Sequence, residues 1–143
     1  NPELLQNLRE MLDVPIRVIH VVRNPFDSHA SWRIINGSWE QETVDNYFCQ
    51  ADTVEDIHGQ LSADEFYRMT HEEFVADTTG ILSELCDFLD VSSPQKYLKS
   101  CEDFVFDSPK QTRYEVDWPE KTLTQIKAKK DDYSWLEGYN FDN

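Results

Sequence analysis

The run IRVIHVV at residues 16–22 constrains this chain more than any other segment, because it is almost continuously apolar and β-branched. Such a run predicts a strand covered on both faces in a mainly parallel sheet, with helices as the covering layers. It stops abruptly at Arg23, Asn24 and Pro25. Asn24 suits a helix N-cap, Pro25 the first helical position and Asp27 the positive end of the helix dipole. A helix is therefore predicted from Pro25 to Ile35, closed by Asn36–Gly37.

This strand delivers Arg23 to its carboxyl end, where open α/β sheets gather their ligands, and the following helix N-terminus offers N–H groups and partial positive charge. Arg23 adds a fork of donors suited to phosphate. Ser28 and Ser31 share a helix face and can supply hydroxyl donors to the same oxygens. From residue types alone a second reading is equally open: Arg23 pairs with Asp27 as a structural ion pair, and both serines are surface positions.

Elsewhere the periodicity is mostly helical. Leu4, Leu5, Leu8, Met11 and Leu12 mark a helix that Pro2 opens, and Val44, Tyr47, Phe48, Ala51, Val54, Ile57 and Leu61 mark a long one with an acidic face read as solvation only. Residues 66–70, FYRMT, predict a second strand, and Asp77 caps a helix carrying Ile81, Leu82, Leu85, Phe88 and Leu89, whose first turn Gly80 weakens. A short helix follows near Pro94–Ser100. The stretch EDFVFDSPKQTRYEVDW then reads as a surface loop bearing function or disorder. Pro119 reopens helix with Leu123 and Ile126 inward, and the aromatic tail YSWLEGYNF is expected to pack back on the body. With no repeat and no linker, the chain reads as a single three-layer α/β unit.

A formal charge of −15, from 28 acids against 13 bases, sets a field that repels polyanions, so nucleic acid is not an expected partner and any anion site must be local. No apolar run is long enough to span a membrane. The three cysteines and four histidines make no zinc pattern, so no metal is expected. Cys86 falls among leucines as a core residue, and a Cys86–Cys101 disulfide stays open. His20 in the strand reads as a core residue and His29 as lying on the outer side of its helix.

The segment RNPFDSHAS, with Arg23 and Ser31 eight residues apart and Asn-Pro directly after the arginine, resembles the 3′-phosphate-binding motif of sulfotransferases. THEEFVADTTGILSELCDFLDV resembles the family's "YEDL…DP…L…FLG" segment, with His71 where Tyr is usual. SPKQTRYEVDWP, a helix and YSWLEGYNF resemble its C-terminal loop and end. The resemblance implies a P-loop-NTPase-like sulfotransferase fold, and a chain (1–143) that is the C-terminal part of one such domain. Its N-terminal half, with the Gly-rich phosphosulfate loop and the catalytic base, is not seen, and a start inside a helix without Met agrees with a fragment inactive by itself.

What the resemblance implies for chemistry is transfer of a sulfuryl group from 3′-phosphoadenosine-5′-phosphosulfate to a hydroxyl- or amine-bearing acceptor, with a carbohydrate among the candidates. Arg23 and Ser31 would hold the cofactor's 3′-phosphate, with Lys110 and Arg113 of the late loop as further cofactor contacts. The catalytic residues are not assigned, and His71 is given no catalytic role. The missing "RKG…GDW" ending of cytosolic members and the sequon Asn36-Gly37-Ser38 point to the membrane-anchored Golgi branch, with a cytoplasmic location as the alternative. A degenerate, noncatalytic nucleotide-binding or protein-interaction module is the competing function.

Overall fold

The computed structural model describes residues 3–39 and 41–142. In chain order these form α1 (Glu3–Met11), β1 (Val18–Val22), α2 (Pro25–Asn36), α3 (Gln41–His58), β2 (Phe66–Thr70), α4 (His71–Ala76), α5 (Thr78–Phe88), α6 (Gln95–Glu102) and α7 (Glu120–Lys130). Short 3-10 turns lie at Thr112–Tyr114 and Ser134–Leu136. The chain divides into two compact units, one of Asn1–Val21 with Thr53–Pro109 and one of Val22–Asp52 with Lys110–Asn143. Among the described residues no helix is long and apolar enough to cross a membrane. The expected opening of α1 by Pro2 lies outside the described residues, as does the side chain of Leu4.

In the first unit β1 and β2 form a small parallel two-stranded sheet, against which α4 and α5 pack on the β2 side. The fold is α/β as expected, but β1 is not covered on both faces. Ile19 is 39% and Val21 52% exposed. An apolar, β-branched run records what a strand's faces suit, and burial needs a layer over each face, which the described residues supply to one only. His20 lies on the covered side. Its Nδ1 accepts from Arg68 Nε at 3.0 Å, Arg68 Nη2 reaches Glu55 at 2.8 Å, and the Phe66 ring lies 4.2 Å from His58 and 6.2 Å from His20.

Helix α4 is an element the periodicity did not reveal, since its six residues are too few to show a helical repeat. Its signal was local. Thr70 and Glu73 form a capping box, the Glu73 N–H donating to Thr70 Oγ1 at 3.0 Å and the Thr70 N–H to Glu73 Oε2 at 3.2 Å. Asp77 then caps α5 by accepting from the Gly80 N–H at 2.9 Å. Gly80 is part of that cap. A Cβ there would lie 2.2 Å from Asp77 Oδ2, so the glycine expected to weaken the turn makes room for the carboxylate that starts it.

The second unit has the aromatic core. Val22, Phe26, Val44, Phe48, Ala51, Ile126, Tyr133 and Leu136 form its buried centre, and Trp118, Trp135, Tyr139 and Phe141 pack against it, so the tail does fold back. The acids of α3 are more than solvation. Asp52 accepts from the Tyr133 hydroxyl at 2.6 Å, Asp45 pairs with Lys129 at 2.9 Å, and in the first unit Glu55 holds Arg68. The late stretch is an irregular, mostly exposed loop over 103–111, as expected, but it is anchored at Thr112 and Arg113, which are 3% and 2% exposed. Cys86 is buried in α5, Cys49 is exposed, and the cysteines are unbridged.

Two outcomes follow from these local geometries. Asp77→Ala should cost about 1 kcal/mol in urea denaturation, the usual worth of an N-cap. Gly80→Ala should bring no gain in the wild type despite alanine's advantage of about 1 kcal/mol in a helix, yet stabilise the Asp77→Ala variant, where no carboxylate is displaced. Additive effects would show that the cap and the glycine are independent.

The pH dependence centres on His20, whose pKa is lowered from 6.5 to about 4, first by burial and then by the Arg68 guanidinium, with Glu55 opposing. The folded chain keeps this ring neutral while the unfolded chain protonates it, so the stability it confers is complete above pH 6.5 and lost as pH falls towards 4. His20→Asn keeps an acceptor for Arg68 without a titrating ring. The stability difference between wild type and this variant should shrink from pH 7 to pH 4 in urea titrations, and a constant difference would contradict the assignment.

Candidate functional site

The strand–turn–helix forms as the sequence implies, and its caps are local. Asn24 Oδ1 accepts from the Phe26 N–H at 2.9 Å, and Gly37 ends α2 in the left-handed conformation at φ 75°, its N–H bonded to Arg33 O. The first turn is not an open anion cradle, however. Pro25, Phe26 and Asp27 are buried, and the Asp27 carboxylate puts a negative charge in that turn.

Asp27 is the partner of Arg113, not of Arg23. Arg113 Nη1 meets Asp27 Oδ2 at 2.5 Å, the Arg113 N–H donates to Asp27 Oδ1 at 2.8 Å, and Arg113 Nε donates to Phe141 O at 2.8 Å. The side chains are 2% and 4% exposed. A desolvated pair of this kind stands because nearly every donor and acceptor is matched. It pins the late loop, the first turn of α2 and the tail together.

Arg23 is thereby left without a carboxylate among the described residues. Its Nη1 donates to Ser31 Oγ at 3.0 Å, and its Nη2 to Lys110 O at 2.9 Å and more weakly to Thr112 Oγ1 at 3.4 Å. Its Nε is buried with no hydrogen-bond partner. Ser31 Oγ lies 3.0 Å from Thr112 Oγ1, which donates to Asp27 O at 2.9 Å. Each hydroxyl has one proton, so the chain runs from Arg23 to Ser31 to Thr112 to the Asp27 carbonyl. The result is a half-buried guanidinium backed by neutral oxygens alone. It is suited to an anion that displaces Lys110 O and turns the Ser31 hydroxyl outward.

The four residues singled out in the sequence are not equivalent. Arg23 and Ser31 meet directly. Lys110 contributes its carbonyl to Arg23, while its exposed ammonium lies 3.5 Å from Glu115 Oε2. Arg113 is a buried, fully engaged strut rather than a loop cation facing solvent. Thr112 was missed, since a threonine between a glutamine and an arginine carries no motif. Ser28 donates to Asn24 O at 3.2 Å.

His29 is not on the outer side of α2. It is 2% exposed, its Nδ1–H donates to Pro25 O at 2.6 Å, its Nε2 is buried without a partner, and burial lowers its pKa. Tyr47 of α3 lies 4.8 Å from its ring, while the helix also packs against the Thr112–Tyr114 turn and α7, so more than one stripe of its first two turns is buried. His71 opens α4 in the first unit, with Nδ1 buried and unpartnered.

A family model described as a sulfotransferase domain matches residues 4–134. No curated protein and no solved structure gives a significant match. The match takes in both the Arg23–Ser31 turn and the late loop that closes on it, over most of the chain. This protein therefore belongs to the family of sulfotransferase domains, transferases of the sulfuryl group.

Proposed function

We propose that this chain supplies the 3′-phosphate-binding part of a sulfotransferase that uses 3′-phosphoadenosine-5′-phosphosulfate and passes its sulfuryl group to an acceptor hydroxyl or amine. The observation that carries the reading is the Arg23–Ser31 contact at 3.0 Å on a guanidinium with no carboxylate partner among the described residues and an unpartnered Nε. Such an arginine is prepared for an anionic ligand, because no internal charge has to be displaced first. Sulfuryl transfer forms a bond from the acceptor oxygen or nitrogen to sulfur as the sulfur–phosphate oxygen bond breaks, leaving adenosine 3′,5′-bisphosphate and the acceptor's proton. In such a reaction positioning and charge neutralisation supply most of the catalysis. The part assigned to this chain is orientation. Arg23 and Ser31 hold the 3′-phosphate, Thr112 keeps Ser31 in place, and Arg113 fixes the loop instead of touching the cofactor.

The Golgi lumen is the proposed location, supported by Asn36 of the Asn36-Gly37-Ser38 sequon, which is exposed at the end of α2. Passage through the secretory pathway would be read as a glycosidase-sensitive mobility shift that disappears in Asn36→Gln. Persistence of the unshifted band in secretory cells would favour a cytoplasmic enzyme.

Calorimetry with adenosine 3′,5′-bisphosphate tests the site. In the full-length enzyme Arg23→Ala should weaken binding by about 2–4 kcal/mol, the cost of losing a charge-assisted partner. Ser31→Ala should cost about 1 kcal/mol, and Thr112→Val less, since its proton is committed to the Asp27 carbonyl. Adenosine 5′-phosphate lacks the 3′ group and should bind wild type and variants alike. Equal losses for both nucleotides in a folded Arg23→Ala protein would exclude the 3′-phosphate assignment.

A further inference from the structure

Within the second unit a cavity of about 500 Å³ lies between α2 and α3. Ser28, Trp32 and the buried His29 line it from α2, and Thr43, Asn46, Tyr47 and Gln50 from α3, with the Cys49 thiol beside them. The α3 residues recur at three, four and seven, so one helix face is given over to hydroxyl and amide groups instead of the apolar stripe that helix pairs usually present to each other. Among the described residues the side chains of Thr43, Asn46 and Gln50 make no hydrogen bond, and Trp32 is 50% exposed. No Lys, Arg, Asp or Glu lines the cavity, although 29% of the chain is charged.

We propose that this cleft binds the acceptor, and that the acceptor is an uncharged, hydroxyl-rich ring of the neutral-sugar class. The proposal rests on the reading of the chain as a sulfotransferase with a hydroxyl acceptor. Each sugar hydroxyl both donates and accepts, and the planar amides of Asn46 and Gln50 offer a donor and an acceptor side by side. The apolar C–H face of a pyranose matches the exposed face of the Trp32 indole, which gives area without demanding charge. An anionic sugar finds no cation here and meets the summed field of a chain at −15. The volume is within the range of small-molecule sites.

The experiment is saturation-transfer NMR and titration of this chain with methyl β-D-glucopyranoside, methyl β-D-galactopyranoside, methyl N-acetyl-β-D-glucosaminide and methyl β-D-glucuronide. At least one neutral glycoside should receive saturation, and the glucuronide should bind about tenfold more weakly than the neutral glucoside. Trp32→Ala should abolish the signal and Gln50→Ala weaken binding about tenfold, as loss of an amide donor and acceptor does. The same variants are titrated with adenosine 3′,5′-bisphosphate, whose binding they should retain, because that ligand reports on Arg23 and on folding. Absence of saturation on all three neutral glycosides, equal binding of the glucuronide, or undiminished binding in Trp32→Ala would overturn the proposal. Loss of nucleotide binding in the wild type would instead refute the cofactor site and leave the sugar result standing by itself.

Discussion

The second unit depends on the buried contact between Asp27 and Arg113. Removing one partner from a pair with side chains 2% and 4% exposed leaves an uncompensated charge in the interior, at a cost of roughly 3–5 kcal/mol. The pair joins the first turn of α2 to a stretch 86 residues later, and Arg113 Nε extends it to the tail at Phe141. The pair works with the Thr112 hydroxyl, which donates to the Asp27 carbonyl, to hold Thr112 and the Lys110 carbonyl against Arg23. The late loop is ordered because its arginine is consumed.

The same pairing decides the character of Arg23. Two arginines compete for one buried carboxylate, and the one that wins is the one the core can enclose. Arg23 stays at the rim with neutral oxygens for company, a state that is costly in isolation and favourable once an anion arrives. In a chain of −15 the guanidinium stays without a carboxylate among the described residues because nearby acids are matched elsewhere, Asp27 by Arg113 and Asp45 by Lys129.

The cleft between α2 and α3 lies on the same helix as Ser31, and Ser28 on its rim shares the Ser31 face one turn earlier. One helix thus carries Ser31 against the Arg23 guanidinium and Ser28 on the rim of an uncharged cleft. The neutrality of the cleft is a matter of which side chains α3 turns towards it, since its acids engage Arg68, Tyr133 and Lys129 elsewhere.

The sequence by itself determined what short-range geometry controls. The Asn24 cap, Pro25, the left-handed Gly37, the Asp77 cap and the two strands were legible because each rests on hydrogen bonds or sterics within a few residues. The Arg23–Ser31 pairing was legible only through the resemblance, because residue types left Arg23 open between Ser31 and Asp27, and Arg23 precedes the Asn24 cap of the helix that carries Ser31. What only the tertiary structure decided is who partners whom across long separations. Asp27 could equally have taken Arg23, four residues away, and nothing local favoured Arg113; Thr112 has no motif; His29 faces inward because α3 brings Tyr47 against that side of α2. The exposure of Ile19 and Val21 follows the same rule. Apolar composition states a preference for burial, and only the arrangement of other elements decides whether that preference is met.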